Sequence, residues 1–236
     1  MPPYRWVFFD LFDTLCTVDE EVYYAGKRAA AEAAGLDYPA FMAAWASTSH
    51  EASVGRIKTP YERAERALAQ LGARERRAAA EVARLDVETI QACVRYYEGA
   101  EEGLKLLRER GFSLGLISNA TATTAFVIGP LELRAKLDTL VFSYEVGATK
   151  PDRAIYETAL RKADCDPGHA LFVGDGANHE LDAARAAGMG AVCLDHAVKA
   201  HSFRNPDTLS DASHPAVRSF EELLALPCLA GPLSDD

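Results

Sequence analysis

The chain has 236 residues, 49% of them hydrophobic, and a formal charge of -10 from 25 Lys and Arg against 35 Asp and Glu. That length and apolar content support one large α/β domain, or a core carrying a smaller insert, and exclude a disordered chain. An acidic balance without a concentrated basic face excludes a nucleic-acid backbone as partner, whereas a small anion could still bind locally.

In chain order, the start "MPPYRWVFF" carries one Arg and an apolar run too short for the h-region of a signal peptide. "RWVFFD" at residues 5–10 reads as a first strand, and its apolar centre lacks the alternation of a half-exposed one, as expected of a strand covered on both faces. The stretch from Val18 to about Tyr97 then changes character. "KRAAAEAAGL", "YERAERALAQLG" and "ARERRAAAEVARLDVETIQACVRYY" are rich in helix formers, with Gly35, Gly55 and Gly72 as punctuation. About 80 residues of helix is far longer than a usual crossover, so residues 17–97 are expected to be a helical subdomain inserted into a core made of 1–16 and 98–236. The apolar spacing does not hold a heptad through the glycines, which argues against a coiled coil.

After the insert, "SLGLIS" at 113–118, "TLVFSY", "ALFVGD" at 170–175 and "GAVCLD" at 190–195 read as strands. Between them lie segments of helical period. In "PDRAIYETALRKA", Pro151 is expected at the first helical position, with Asp152 favouring the helix dipole. Strands alternating with helices predict an α/β fold with a parallel sheet and crossover helices. The acidic end "LSDD" reads as a frayed tail. Cysteines at 16, 93, 165, 193 and 228 have no C-x-x-C spacing, so neither a disulfide framework nor a zinc cluster is expected, and a reducing cytoplasm fits. No apolar run approaches the ~20 residues of a membrane span, so the protein is expected to be soluble, unexported and without a membrane partner.

In open α/β sheets ligands bind beyond the carboxyl ends of the strands. Asp10, Ser118, Asn119 and Asp175 end three of the predicted strands, and Lys150 lies in the loop after a fourth. Singly, each reads as a turn former, a helix cap or a solvated lysine. Jointly they offer a site for an anion and a hard metal ion.

With "FFDLFDTL", "LGLISNA", the Lys of "ATKPD" and "LFVGDGANHELDAARAAGMG" in that order, the chain resembles the haloacid dehalogenase-like hydrolase superfamily over nearly its whole length. "YYEGAEEGLKLLRERG" is similar to the segment that returns from cap to core in that family. The resemblance implies a Rossmann-like, doubly wound parallel sheet with an inserted α-helical cap. It also implies that Asp10 is the nucleophile and forms a covalent aspartyl intermediate. Thr14 and Ser118 would hold the transferring group, with Asn119 beside them, and Lys150 would neutralise charge between nucleophile and substrate. Asp175, Asp10 and the backbone carbonyl of Phe12 would coordinate Mg²⁺, with Glu180 as a further acid supporting the metal. His179 and Asp182 read as a solvated first turn of helix.

The departure is at position 12. Phosphatases of the superfamily usually keep a second Asp two residues after the nucleophile as general acid and base, and Phe12 can do neither. Strand periodicity puts Phe12 near the site and Leu11 away from it, with Asp13 on the far side shaping the turn. An aromatic at this position, with Tyr156 further on, resembles the dehalogenase branch instead. Against that branch, Asp175 is present, Ala46 follows Trp45 where a halide-binding Arg would stand, and nothing aims Arg28 or Arg56 at the site. The favoured expectation is Mg²⁺-dependent, phosphatase-type hydrolysis of a small phosphorylated, hence anionic, metabolite, weak on ordinary esters because Phe12 stands in place of the usual acid. The alternatives are a 2-haloacid dehalogenase, for which halide needs no proton on leaving, and a non-catalytic protein that binds a ligand or partner.

Overall fold

The computed structural model describes residues 4–196 and 213–230. Its main sheet contains Trp6–Phe9 (β1), Ser113–Ser118 (β4), Thr139–Phe142 (β5), Ala170–Gly174 (β6), Gly190–Leu194 (β7) and Ala216–Val217 (β8). The order is β5-β4-β1-β6-β7-β8, and every pairing is parallel. β1 is central, with β4 on one side and β6 on the other, so connections leave it in both directions. That reversal opens a crevice at the carboxyl ends of β1 and its neighbours.

The sheet is buried on both faces, which explains strands that are apolar throughout. On one side Val7, Phe9, Leu114, Leu116, Leu171 and Val173 pack with residues of Ala100–Glu109 (α6) and Phe220–Leu224 (α11). On the other, Phe8, Ile117 and Phe172 pack with Arg153–Lys162 (α9) and Glu180–Ala186 (α10). The period of two thus survives as a division of apolar residues between two cores. Pro151 does not open α9. Asp152 is its N-cap and accepts from the Ala154 amide at 2.9 Å, so the residue assigned to the dipole closes the end of the helix.

The helical stretch lies between Cys16–Val18 (β2) and Val94–Tyr96 (β3), which pair antiparallel as a two-stranded ribbon. It comprises Glu20–Ala33 (α1), Tyr38–Ser47 (α2), Ser49–Ser53 (α3), Pro60–Gln70 (α4) and Arg76–Cys93 (α5). α1 and α4 both pack on α5, around a core of their own that includes Ala30, Phe41, Trp45, Leu68 and Val82. Gly35, Gly55 and Gly72 follow α1, α3 and α4 with positive φ, the conformation that lets the chain turn after a helix. Val94–Tyr96 departs from the helical expectation. The helix ends at Val94, whose extended backbone enters β3, and pairing with Cys16–Val18 satisfies the backbone groups that leave the helix. The final "LSDD" lies outside the described residues. Among the described residues no helix is long and apolar enough to cross a membrane.

Candidate active site

β1 stops at Phe9, and the next amide, Asp10 N–H, still donates to the Val173 carbonyl at 2.9 Å, which ties the acid to the end of β6. Beyond it the chain turns instead of staying extended. Asp13 adopts a φ of 58°, and its N–H donates to the Cys16 carbonyl at 2.9 Å. A short polar side chain tolerates that left-handed conformation. The turn changes what faces what. Leu11 is fully buried in the core and Phe12 lines the cavity as periodicity suggests, but Asp13 lines the same cavity, so the far-side expectation for it fails. Tyr97 Oη donates to Asp13 Oδ1 at 3.4 Å. His196 stacks on Tyr97 with ring centroids 3.7 Å apart and donates Nε2–H to the Thr14 carbonyl at 2.9 Å.

Three further strand-end segments and the start of α10 converge on Asp10. Lys150 Nζ sits 2.5 Å from Asp10 Oδ1 and 2.5 Å from Glu180 Oε2, bridging the first strand and the start of α10. Asn119 fixes the lysine backbone from both sides: its Oδ1 accepts from Lys150 N–H at 2.7 Å, and its Nδ2 donates to the Lys150 carbonyl at 3.1 Å. Asp175 follows β6, and its Oδ1 accepts from the Ala177 amide at 3.1 Å. Glu180 Oε1 accepts from the Gly176 amide at 3.1 Å, and Tyr156 Oη donates to the Glu180 carbonyl at 2.8 Å. A Cβ on Gly174 would meet Glu180 Oε1 at 2.1 Å, so glycine is needed for that approach.

Carboxylate oxygens of Asp10, Asp175 and Glu180 lie within 4.8 Å of one another. Burial raises the Asp10 carboxyl, with the Lys150 ammonium opposing and Asp175 adding to the rise. Burial likewise pushes Glu180 up to about 8, again opposed by Lys150 and reinforced by Asp10 and Asp175. Burial alone would lower Lys150, but the Asp10 and Glu180 charges more than offset it and raise it. One ammonium among three crowded carboxylates leaves excess negative charge, which a hard divalent cation with oxygen ligands would relieve. The donor set therefore fits such an ion.

Not every predicted residue reaches the cavity. Asp10, Phe12, Asn119, Lys150, Asp175 and Glu180 line it. Thr14 and Ser118 are buried behind its wall, and both hydroxyls lack a hydrogen-bond partner among the described residues. Asp182 does more than solvate a helix start, since His214 Nε2 lies 2.7 Å from its Oδ1. Three charged residues absent from the sequence reading, Lys27, Arg63 and Asp86, join Trp45 on the wall from the helical side. Their signal was a charge on an apolar stripe. Lys27 keeps step with Ala30 and Ala31, Arg63 with Ala67, and Asp86 with Val82 and Thr89, all buried.

The fold and site together define an α/β protein of the hydrolase type, with an acid–lysine cluster at its strand ends beneath a helical roof. The chain belongs to the haloacid dehalogenase-like hydrolase family, whose model matches residues 4–188. It is 36% identical over 108 residues to haloacid dehalogenase-like hydrolase domain-containing protein 3 of Mus musculus, covering 43% of each chain. It is 34% identical over 110 residues to a phosphoglycolate phosphatase of Nitrosospira multiformis, covering 46% of this chain and 48% of that one. In both cases the match spans less than half the relative's length. The crystal structure of a 2-haloacid dehalogenase from Pseudomonas syringae pv. Tomato superposes with a TM-score of 0.71 at 22% identity, over 93% of this chain and 96% of that one. The last similarity is one of fold.

Proposed function

We propose that the chain is a Mg²⁺-dependent phosphohydrolase of small phosphorylated metabolites, with residues 17–97 acting as a cap over the site. The observation that carries this is the Asp10–Lys150–Glu180 bridge beside Asp175: a nucleophile held by an ammonium, within reach of the other carboxylates. The phosphatase names among the curated relatives support the same reaction class. Asp10, Asp175 and the Phe12 carbonyl would hold the ion, with Glu180 supporting it. When bound, the ion supplies positive charge that lets an anionic nucleophile and an anionic phosphate approach.

The chain's own residues do the rest. A carboxylate oxygen of Asp10 attacks phosphorus, the ester P–O bond breaks, and an acyl phosphate forms on Asp10; water then displaces the phosphate. Lys150 keeps Asp10 ionised and stabilises charge on the transferring group. Glu180 and Asn119 aim Lys150, one through its ammonium and the other through its backbone. The unpartnered hydroxyls of Thr14 and Ser118 offer donors to the transferring group after a small shift of the wall.

Phosphate release from a panel of small phosphomonoesters tests this. Turnover is expected with Mg²⁺, should disappear on chelation, and should fall by at least about 10³-fold in Asp10→Asn, which keeps the shape but not the nucleophile. Phe12 on the cavity wall favours a second reading, dehalogenation of a 2-halo acid. Chelator-resistant halide release from chloropropionate, without phosphate release from any ester, would replace the first reading with the second.

A further inference from the structure

The roof of the cavity has a charge pattern of its own. Lys27, Arg63 and Asp86 come from α1, α4 and α5, and all three line the space that holds Asp10. Their exposures are only 2%, 9% and 6%. Charged side chains are almost never buried so fully without partners, so the partners decide what the cluster is for. Lys27 Nζ is paired with Asp86 Oδ1. Asp86 Oδ2 accepts from Thr123 Oγ1 at 2.8 Å, so both oxygens of that carboxylate are engaged.

Arg63 is different. Its Nε donates to Thr48 Oγ1 at 3.0 Å, and its Nη2 donates to Ser49 Oγ at 3.1 Å and to the Trp45 carbonyl at 3.5 Å. All three acceptors are neutral. Nη1 has no acceptor among the described residues, and no carboxylate among them lies within ion-pair distance of the guanidinium. The Trp45 ring centroid is 4.4 Å from Arg63 Cζ and 4.4 Å from Lys27 Nζ, which steadies both cations without neutralising either. Two cations and one carboxylate leave the buried roof with one net positive charge.

A buried guanidinium in direct contact with no carboxylate, its charge met only at longer range by an Asp86 already paired with Lys27, is costly, and its planar fork suits a carboxylate through paired N–H donors. We infer that Arg63, with Ser49 beside it, is a subsite for a carboxylate on the substrate, so that the chain takes a small phosphomonoester carrying a carboxylic acid. The phosphoryl group meets Asp10 and the carboxylate meets Arg63. Which end reacts rests on the phosphohydrolase reading; binding of the carboxylate does not. A single positive charge matches a monoanionic carboxylate better than a dianionic second phosphate. The cavity, about 580 Å³, has room for a ligand reaching from floor to roof.

The test uses carboxyethylphosphonate and propylphosphonate, which share an unhydrolysable phosphonate and differ by the carboxylate. Calorimetric titration of the whole chain in Mg²⁺ should show the first binding at least about 10-fold tighter. Arg63→Met should bring that ratio close to one, and Arg63→Lys should keep part of it. Equal affinities for the wild-type chain overturn the subsite even if the Met variant fails to fold, as does a ratio that survives in a folded Arg63→Met. Turnover is read separately, from phosphoglycerate and glycerol phosphate. Release from neither, with the binding ratio intact, removes the phosphohydrolase reading and leaves the subsite standing; release from both, with equal phosphonate affinities, removes the subsite alone.

Discussion

Position 12 is where one side chain decides most. Its backbone belongs to the loop that carries Asp10, and its ring lines the cavity where a leaving group would depart. With no acid there, an alkoxide must leave without a proton from this residue, whereas an aryl oxide needs none. Proton transfer by a placed side chain is commonly worth about 10²- to 10⁴-fold, so Phe12→Asp should raise kcat/KM on alkyl phosphates by about 10²-fold while changing nitrophenyl phosphate much less. The ratio of the two substrates is the measurement, and an unchanged ratio would show that the proton comes from elsewhere. The strand-end residues were legible because an apolar run that stops at an acid, hydroxyl or amide is an unusual thing for a buried strand to do. Asp13 was misjudged for a local reason: alternation was carried past Phe9, but the strand ends there and a positive φ swings Asp13 to the cavity side. Lys27, Arg63 and Asp86 went unseen because sequence alone gives each helix a face but does not say which faces meet.

Among elements, the central strands were legible because each is a continuous apolar run bounded by polar residues. The ribbon of β2 and β3 was not. Each strand is three residues long, one directly precedes α1 and the other directly follows α5, and only their pairing across the insert makes them strands. The helices between them meet at a buried ionic contact, Lys27 of α1 with Asp86 of α5, and Asp86 also accepts from Thr123 in the loop after β4. That loop belongs to the sheet side of the cavity, so Asp86 ties the helical roof to the floor. Removing one partner of a buried pair strands the other charge, which typically costs about 3 to 5 kcal/mol. Asp86→Ala should therefore lower unfolding stability by roughly 3 kcal/mol in denaturant titration. A loss below about 1 kcal/mol would mean that Lys27 finds water or another acceptor, and the pair would then be a contact without structural weight.

For the whole molecule, the junction between sheet and helical insert is also where two thiols are buried. Cys16 begins β2, Cys93 ends α5 beside β3, and the Cys93 carbonyl accepts from the Asp19 amide at 2.7 Å, closing the junction. Burial raises the Cys16 thiol well above its usual value, with the Asp10 and Asp13 charges adding to it. Burial pushes Cys93 from 9.0 up to about 11. The sign follows from proton linkage. Below pH 9 both thiols are protonated in the folded and the unfolded chain, and neither makes stability depend on pH. Above it the unfolded chain releases protons that the folded chain retains, so stability falls as pH rises from 9 through about 11. Each such thiol contributes a slope of up to about 1.4 kcal/mol per pH unit within its window. Melting temperature measured across that range should therefore decline steeply. Cys93→Ala should flatten the decline between pH 9 and 11 even if it lowers the melting temperature at neutral pH, because the alanine has no proton to lose. An unchanged slope in Cys93→Ala would assign the alkaline loss to other groups that burial holds protonated: Cys16, Cys165, raised from 9.0 to about 11, and the phenols of Tyr23 and Tyr97, each raised from 10.0 to about 12. Among these, Cys16 would keep the weak point at the junction, Tyr23 would move it to the cavity wall, and Tyr97 would move it behind the Asp13 turn that it supports.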